Sequence, residues 1–404
     1  MRRVAQPEEL RYARRLAIQI GLGVLLITGA AAAGVLYAGG DFTGEDHSNE
    51  DHSDEYLAGI NLTDANLNGT DLSRSDLSDG ILDGIDLRNS ILDQTIFRRA
   101  SILNADLRAA QGDETDFGDA DLTGSNLNGA VLTDASFAAA TLVDTQMKLG
   151  TFSGGDFSGA DLTRAVLVQS DFQGADFTDA TLTEASLKEG NFSDADFTGA
   201  DLTDAILEKG IFQDAIFADS VLVNASLRLG DFTGASFDGA DLTNADLEQG
   251  IFEFVSFQGA TLDGASLKQG DFQQADFTDA SLVLADLEQA SFVNAVFEGA
   301  NLSDADLKQA DLSGADLSDA IVDGADLNQT VFAGAIVFGV DFTDTVNLGT
   351  ADFTGAYYDS TTIIDGSIVD LSIMIFVPEP SSASLLLLGL ALFAHSRRRS
   401  SRRR

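Results

Sequence analysis

The sequence contains no cysteine and no tryptophan, only three prolines and three histidines, and few basic residues. The absence of cysteine excludes a disulfide scaffold and a thiolate metal site. Lys and Arg total 23 against 65 Asp and Glu, and the formal net charge is −42. Because Lys and Arg drive nucleic-acid binding by releasing counterions from phosphate, this charge argues against a nucleic-acid partner. It is compatible with loosely bound cations or with mimicry of DNA, and a solvated acidic shell is the favoured interpretation.

A basic N-terminus precedes the first hydrophobic segment. Five Arg residues lie within residues 1–15, and residues 16–38 then contain no charge. About 20 apolar residues suffice to span a bilayer, and an Arg cluster is expected to stay cytoplasmic. We therefore predict a cytoplasmic n-region at 1–15 and a transmembrane or signal-anchor helix at 16–38, either cleaved or kept. Everything after this helix is expected to be exported.

The C-terminus carries three features in order: a Pro-Glu-Pro motif, an apolar run at 383–394 and an Arg-rich tail. This order resembles the PEP-CTERM sorting signal of Gram-negative bacteria. The resemblance implies an exosortase-like processing peptidase as a partner and delivery to the cell surface or its matrix. A plain C-terminal anchor is the alternative, because hydropathy does not separate the two. The sorting or anchor segment is assigned to 377–404, and the matching residues are Val377, Pro378, Glu379, Pro380, Arg397, Arg398 and Arg399.

A five-residue repeat fills the middle of the chain. From Leu57 to Phe342 every fifth residue, here called the centre, is large and apolar except at Gly112. The residue two before each centre is usually small, and Asp or Asn often lies between them. A period of five fits neither a helix nor a continuous strand, but it fits a short extended segment followed by a corner at Gly or Asp. Residues i and i−2 of an extended segment face the same way, so we expect both to face the core and the Asp residues to face solvent.

A second period indicates how many sides make one coil. From Phe152 the centres run Phe, Phe, Leu, Leu and repeat, so identical residues recur every 20 positions. Four five-residue sides therefore complete a coil, and coils about 4.8 Å apart bring equivalent side chains into contact. Gly112 suggests a weakened or bulged coil, and the six-residue spacing from Phe342 to Leu348 predicts one inserted residue. The predicted core ladders are Phe152, Phe172, Phe192 and Phe212, then Phe157 and Phe177, then Leu162 and Leu182.

A column of alternating charges has the same 20-residue period. Each charge is predicted to meet an opposite charge in the coils above and below, which would stabilise the register. The column consists of Lys188, Glu208, Arg228, Glu248, Lys268, Glu288 and Lys308.

The repeat resembles the pentapeptide-repeat family, whose consensus is A(D/N)LXX. The resemblance implies an all-β fold, namely a right-handed quadrilateral, or four-sided, parallel β-helix. We assign this helix to residues 56–366, with an acidic linker at 39–55 before it and a C-terminal cap at 367–376 after it. One N-terminal and one short C-terminal hydrophobic helix are expected to flank it. Some family members are thought to mimic duplex DNA and act on DNA gyrase.

Groups able to perform chemistry are sparse. The three histidines lie outside the repeat, and we predict no catalytic residue and no cofactor. The segment EDHSNEDHSDE, at 45–55, repeats Glu-Asp-His-Ser and contains the only metal-ligand candidates, His47, His52, Asp46 and Asp51. Their spacing matches no closed ligand set, so a solvated linker is the preferred interpretation.

These observations predict a non-enzymatic, acidic β-helical scaffold that is exported or attached to the surface. Its expected role is protein interaction or cell-envelope and matrix structure, with membrane contact through the terminal segments and an unidentified protein or matrix partner. The alternatives are a DNA mimic that acts on gyrase and a cation-binding surface protein.

Overall fold

The computed structural model describes residues 36–378 of the chain. The chain divides into a short unit, Met1–Leu36, and a large unit, Tyr37–Arg404, and all features below belong to the large unit. From Asp41 to Asp316, the residue before each centre forms a parallel bridge with the residue 20 positions later, beginning with the pair Asp41 and Asn61. The chain is therefore a repeat β-helix with 20 residues per coil, as the second period of the sequence predicts.

The backbone hydrogen bonds explain the composition of the repeat, as the unit from Asp161 to Ala165 illustrates. The amides of Asp161, Leu162 and Arg164 donate to carbonyls of neighbouring coils at 2.7 to 2.9 Å, and the Ala165 amide closes the corner onto the Leu162 carbonyl at 2.9 Å. The remaining amide, of Thr163, donates to Oδ1 of Asp161 at 3.0 Å. All five amides are satisfied. Asp or Asn before the centre therefore supplies an acceptor that the backbone does not.

The corners lie at the second residue after each centre, where the backbone is left-handed. Gly159 has a φ of 62° and Arg164 a φ of 57°. Gly, Asn and Asp tolerate this conformation best, which accounts for their frequency at this position. The bulky side chains of Phe254 and Leu284 are nevertheless found there, each at a φ of 62°.

Two columns of stacked Phe rings fill much of the core between Phe152 and Phe297. The rings of Phe152 and Phe172 have centroids 4.9 Å apart, and those of Phe157 and Phe177 are also 4.9 Å apart. The second column begins earlier than Phe157, because Phe97 stacks on Phe117 at 4.9 Å and the stack continues through Phe137. Leu and Ala line the other sides and are fully buried, including the predicted ladder residues Leu162 and Leu182.

Gly112 lies in a regular coil. Strand β1 (Gln111–Asp113) pairs in parallel with strand β2 (Val131–Thr133), and Gly112 is opposite Leu132. The space of a larger centre is taken by Thr115, since a Cβ on Gly112 would lie 2.2 Å from Thr115 Oγ1. That hydroxyl donates to the Leu92 carbonyl at 2.9 Å. The prediction of a bulge is therefore wrong.

The inserted residue and the last coils lie beyond Phe342. A 3-10 helix, Leu348–Thr350, absorbs the extra residue, and the bridge spacing changes from 20 at Asp326 to 21 at Val331. Strand β3 (Tyr357–Tyr358) then pairs in parallel with strand β4 (Ile375–Phe376), which follows a second 3-10 helix, Leu371–Ile373. The insertion is confirmed, and the predicted cap at 367–376 contains both the second 3-10 helix and β4.

Residues 41–55 belong to the first coil, which corrects the assignment of 39–55 to a linker. Asp41, Asp46 and Asp51 each bridge in parallel to the residue 20 positions later. Phe42, His47 and His52 then fall in the same five-residue frame as Leu57, at centre positions. This frame was hard to recognise in the sequence, because two of its centres are His and not Leu or Phe.

Candidate functional site

Two buried histidines and one glutamate meet in the first coil. His47 is 2% exposed and His52 is 1% exposed. The Oε2 atom of Glu50 lies 3.1 Å from Nδ1 of His47 and 2.9 Å from Nε2 of His52. One ligand atom from each of the three residues lies within 4.8 Å of the other two.

Each histidine also has a carboxylate on its outer side. Nδ1 of His52 lies 3.3 Å from Oε2 of Glu55, and Nε2 of His47 lies 3.5 Å from Oε2 of Glu45. Nε2 of His47 is buried and has no hydrogen-bond partner within residues 36–378. A buried polar atom without a hydrogen-bond partner is costly. The described protein atoms therefore leave the hydrogen-bonding capacity of the His47 ring unsatisfied.

The ionisation of the cluster reflects these contacts. Burial tends to lower the pKa of His52, but the hydrogen bonds and charges of Glu55 and Glu50 outweigh it and raise that pKa. Burial tends to raise the pKa of Glu50, but the hydrogen bonds from His47 and His52 outweigh it and lower that pKa. The three residues are therefore electrostatically coupled.

The two aspartates among the metal-ligand candidates lie elsewhere. Asp46 Oδ1 accepts hydrogen bonds from the Ser48 amide and from Nδ2 of Asn66, each at 3.0 Å. Asp51 Oδ1 accepts from the hydroxyl of Ser53 at 2.6 Å. Both residues are in the outward position before a centre, so they serve the coil backbone and are not part of the histidine cluster. Reading the five-residue frame backward from Leu57 would have identified the glutamates, because Glu45, Glu50 and Glu55 each lie two residues before a centre.

The alternating charges form pairs in one direction. Nζ of Lys188 lies 2.8 Å from Oε2 of Glu208, Arg228 contacts Glu248 at 2.5 Å, and Lys268 contacts Glu288. The hydrogen bond from Lys188 lowers the pKa of Glu208. Within the described coils, each of these three cations contacts the column's acid one coil later. The prediction that each charge also meets the opposite charge of the preceding coil is not borne out for them.

The last cation of the column departs from this pattern. Nζ of Lys308 lies 2.6 Å from Asp306 and 3.3 Å from Asp326. Both partners are Asp residues that precede centres. Lys308 therefore pairs with the neighbouring column of aspartates and not with an acid of its own column.

A ladder of glutamines runs along the corner next to the charges. The side-chain amides of Gln249, Gln269, Gln289 and Gln309 each donate to the Oε1 atom one coil later, at 2.8 to 3.3 Å, ending at Gln329. Amide side chains both donate and accept, so a continuous ladder needs no change of residue type. These contacts keep the corner polar and regular.

A depression of about 230 Å³ lies beside the inserted residue. Its lining is mostly apolar and includes Phe342, Leu348, Ile363 and Ile368, with Asp365 as its single carboxylate. A lone exposed carboxylate offers no general base beside a nucleophile. We assign no chemistry to it.

The predicted terminal segments lie almost entirely outside the described residues. Of the sorting residues, Val377 and Pro378 are described, and the Val377 amide donates to the Tyr358 carbonyl at 2.8 Å. Glu379, Pro380 and the three arginines at 397–399 lie outside, as does the predicted helix at 16–38 up to residue 35. Among residues 36–378, no helix has the length and apolar character to cross a bilayer.

Two different family models match the repeat and the C-terminal tail. A family model described as Pentapeptide repeats matches residues 56–94 and, in overlapping copies, 115–346, which is more than half of the chain. A model of the PEP-CTERM protein-sorting motif matches residues 376–403. No curated protein matches the chain.

Several solved structures are similar to parts of the chain. HetL, a pentapeptide repeat protein involved in heterocyst differentiation regulation from the cyanobacterium Nostoc, is 28% identical over 55% of this chain and 89% of its own, with a TM-score of 0.39. A pentapeptide repeat protein of the Arabidopsis thaliana thylakoid lumen is 30% identical over 29% of this chain and 68% of its own, with a TM-score of 0.19. QnrB1, a plasmid-mediated fluoroquinolone resistance protein, is 20% identical over 58% and 95%, with a TM-score of 0.25.

Proposed function

Because this chain belongs to the pentapeptide-repeat family and ends in a PEP-CTERM sorting motif, we propose that it is an exported, non-enzymatic scaffold of the cell envelope or its matrix. The observation that carries the proposal is the filled core. The centres from Leu57 to Phe342 are at most 1% exposed, except that Gly112, which is also buried, contributes no side chain. Side chains available for binding therefore lie on the outer faces of the coils.

Those outer faces are acidic and regularly spaced. The Asp residues before centres recur at the bridge positions of successive coils, for example Asp156, Asp176 and Asp196. Such columns of carboxylates suit a cationic protein partner, a matrix component or loosely bound cations. The right-handed winding, the flanking hydrophobic helices and transient membrane contact by the terminal segments belong to the same proposal.

Processing of the tail tests the proposal in native cells. We expect the mature protein at the surface or in the medium to be shorter than the chain that accumulates in a mutant lacking the exosortase-like peptidase. Replacement of both Pro378 and Pro380 by Ala should block processing, whereas Pro7→Ala, at the one other proline, should not. Soluble cytoplasmic protein in wild-type cells would overturn the proposal.

The second candidate is DNA mimicry directed at gyrase, which the net charge of −42 favours. The sorting motif opposes it, because gyrase acts in the cytoplasm and the motif implies export. A supercoiling assay with the full-length chain distinguishes the two. Inhibition or protection of gyrase at stoichiometric concentration would favour mimicry, and no effect would favour the scaffold.

A further inference from the structure

The first coil differs from the rest of the helix at positions that face the core. In most repeats the residue two before a centre is Ala, Ser, Thr or Gly, but the first coil has Glu45, Glu50 and Glu55 there. Its centres include His47 and His52 in place of Leu or Phe. Polar and charged groups at buried positions are costly unless they are paired or bind a metal. The two histidines are buried, whereas the side chains of Glu45 and Glu50 are 54% and 40% exposed, so the need for a compensating partner falls on the histidines.

We propose that Nδ1 of His47, Oε2 of Glu50 and Nε2 of His52 bind one divalent metal ion of the zinc class. Zinc sites use imidazole nitrogen and carboxylate oxygen at about 2.0 to 2.2 Å, which places tetrahedral ligand atoms about 3.4 Å apart. The carboxylate oxygen here lies 3.1 Å and 2.9 Å from the two nitrogens. These two distances need to lengthen by only a few tenths of an ångström, and the two ring nitrogens lie within 4.8 Å of each other.

The outer contacts of the histidines match those of metal-bound imidazoles. A ligating histidine usually directs its other ring nitrogen to a carboxylate or carbonyl, which orients the ring and makes it a better ligand. Glu55 is 3.3 Å from Nδ1 of His52, and Glu45 is 3.5 Å from Nε2 of His47. His52 therefore has the required second partner, and a carboxylate stands within 3.5 Å of the other ring nitrogen of His47, although no hydrogen bond joins them.

The tautomer of His47 gives an independent argument. To donate to Glu50 without a metal, neutral His47 must carry its proton on Nδ1. Nε2 is then a buried acceptor, and it has no hydrogen-bond partner within residues 36–378. Metal binding at Nδ1 moves the proton to Nε2, where it points toward the carboxylate of Glu45. Metal binding would thus give Nε2 of His47 a proton to direct at Glu45, whereas without the ion this nitrogen has no hydrogen-bond partner.

Hydrogen bonds to the backbone hold the two histidines of the site in place. The hydroxyl of Thr70 donates to the His47 carbonyl at 2.9 Å, and that of Ser75 donates to the His52 carbonyl at 2.5 Å. The ring of His47 is also in edge contact with those of Phe42 and His52, at 5.9 and 5.5 Å between centroids. A site held in this way loses little conformational freedom when the ion binds.

The donor set favours one group of metals over another. Two imidazoles and a carboxylate suit Zn²⁺ and its neighbours in the first transition row, whereas Ca²⁺ requires six to eight oxygen ligands. Binding here is therefore distinct from diffuse attraction of Ca²⁺ to the acidic faces. The alternative role of the first coil is a polar end layer, of the kind that terminal repeats need for solubility.

The test is titration of the purified full-length chain, in mild detergent, with Zn²⁺ by calorimetry and with Co²⁺ by visible absorption. We expect one ion per chain, unaffected by millimolar Ca²⁺. Replacement of both His47 and His52 by Leu should abolish this binding. That variant should still fold, because Leu67 and Leu72 occupy the equivalent centres one coil later and are fully buried.

Two further variants test the arrangement. Glu55→Gln should weaken Zn²⁺ binding about tenfold, as expected for a carboxylate that orients a ligating histidine. Replacement of Asp46 and Asp51 by Asn is the matched control, since both lie in the same segment and face outward, and it should leave the affinity unchanged. Zn²⁺ binding of equal strength in wild type and the double Leu variant, or none in either, would overturn the proposal in favour of a polar end layer.

Discussion

Phe217 stacks on Phe237 with the ring centroids 4.6 Å apart and the ring planes within 1° of parallel. Phe217 also stacks on Phe197 at 4.8 Å, on the opposite face of its ring. Each Phe in this column thus stacks on the equivalent Phe of the coil before and of the coil after. Each ring therefore contributes to the stability of two neighbouring coils. Stability in such a helix is close to a sum over nearest-neighbour coils.

Truncation in the middle of this column should destabilise the helix strongly. Phe217→Ala removes a fully buried ring, and we expect a loss of about 3 to 5 kcal/mol in the free energy of unfolding. Phe217→Leu should cost less, about 1.5 kcal/mol, because Leu packs well on other sides of the same coil. Ile216→Ser, at the exposed preceding position, should change it by less than about 0.5 kcal/mol. Denaturant unfolding followed by circular dichroism measures all three, and equal effects at 216 and 217 would contradict the stacked-core account.

The acceptor before each centre can be tested separately from its charge. Asp161 accepts hydrogen bonds from both the amide and the hydroxyl of Thr163, at 3.0 and 2.6 Å. Asp161→Ala leaves that amide without its partner and should cost about 1 kcal/mol. Asp161→Asn keeps the oxygen and should cost less than about 0.5 kcal/mol. Thermal melting of the pair decides the matter, since similar losses would show that charge and not the hydrogen bond is important.

Acid should weaken the last coils through their aspartates. Hydrogen bonds from the Thr343 and Thr354 hydroxyls, and then from their amides, hold the pKa of Asp341 and Asp352 below the ordinary value of 3.8. A carboxyl whose folded pKa is lowered stabilises the fold above its unfolded pKa, and this stabilisation is lost as the pH falls through the folded value.

The measurement compares the wild type with a variant in which both residues are Asn, which cannot titrate. The difference in Tm between the two proteins should be constant near pH 5 and change as the pH falls from about 4 to about 2, in the direction that favours the variant. A difference that is the same at every pH would show that these two carboxyls do not contribute to the acid sensitivity.

Salt should stabilise the protein. The net charge of −42 produces self-repulsion in the compact state, and ions screen it. Screening also weakens pairs such as Lys188 and Glu208, but exposed pairs are individually weak. We therefore expect Tm to rise between about 20 and about 500 mM NaCl. A fall in Tm over this range would mean that the ion-pair column outweighs the repulsion.

The coil could be predicted from the sequence because its interactions are local and repeated. A centre such as Leu162, its small partner Ala160 and the outward Asp161 recur so often that the five-residue and 20-residue periods are visible without any structure. Each side is short, and its neighbours are always 20 residues away, so periodicity alone indicates which side chains stack.

The partners of the charged side chains were harder to predict from the sequence. Long side chains choose among several nearby partners, and their choice depends on rotamers that the period does not specify. Lys308 therefore contacts Asp306 and Asp326 although its column suggested Glu288. Exposed charges also exchange partners at small energetic cost, so sequence spacing predicts the column and not the contacts within it.

The repeat, its period and the sorting tail are properties of residue order, and the sequence was sufficient to recognise them. The histidine cluster is different, because His47, Glu50 and His52 look like a solvated stretch until they are wound into the first coil. Only the tertiary structure turned the two histidine rings inward and brought one carboxylate oxygen of Glu50 to both rings, at 3.1 and 2.9 Å. Period indicates which way a side chain faces, whereas the convergence of three ligand atoms depends on the corners and side-chain torsions that the folded coil imposes.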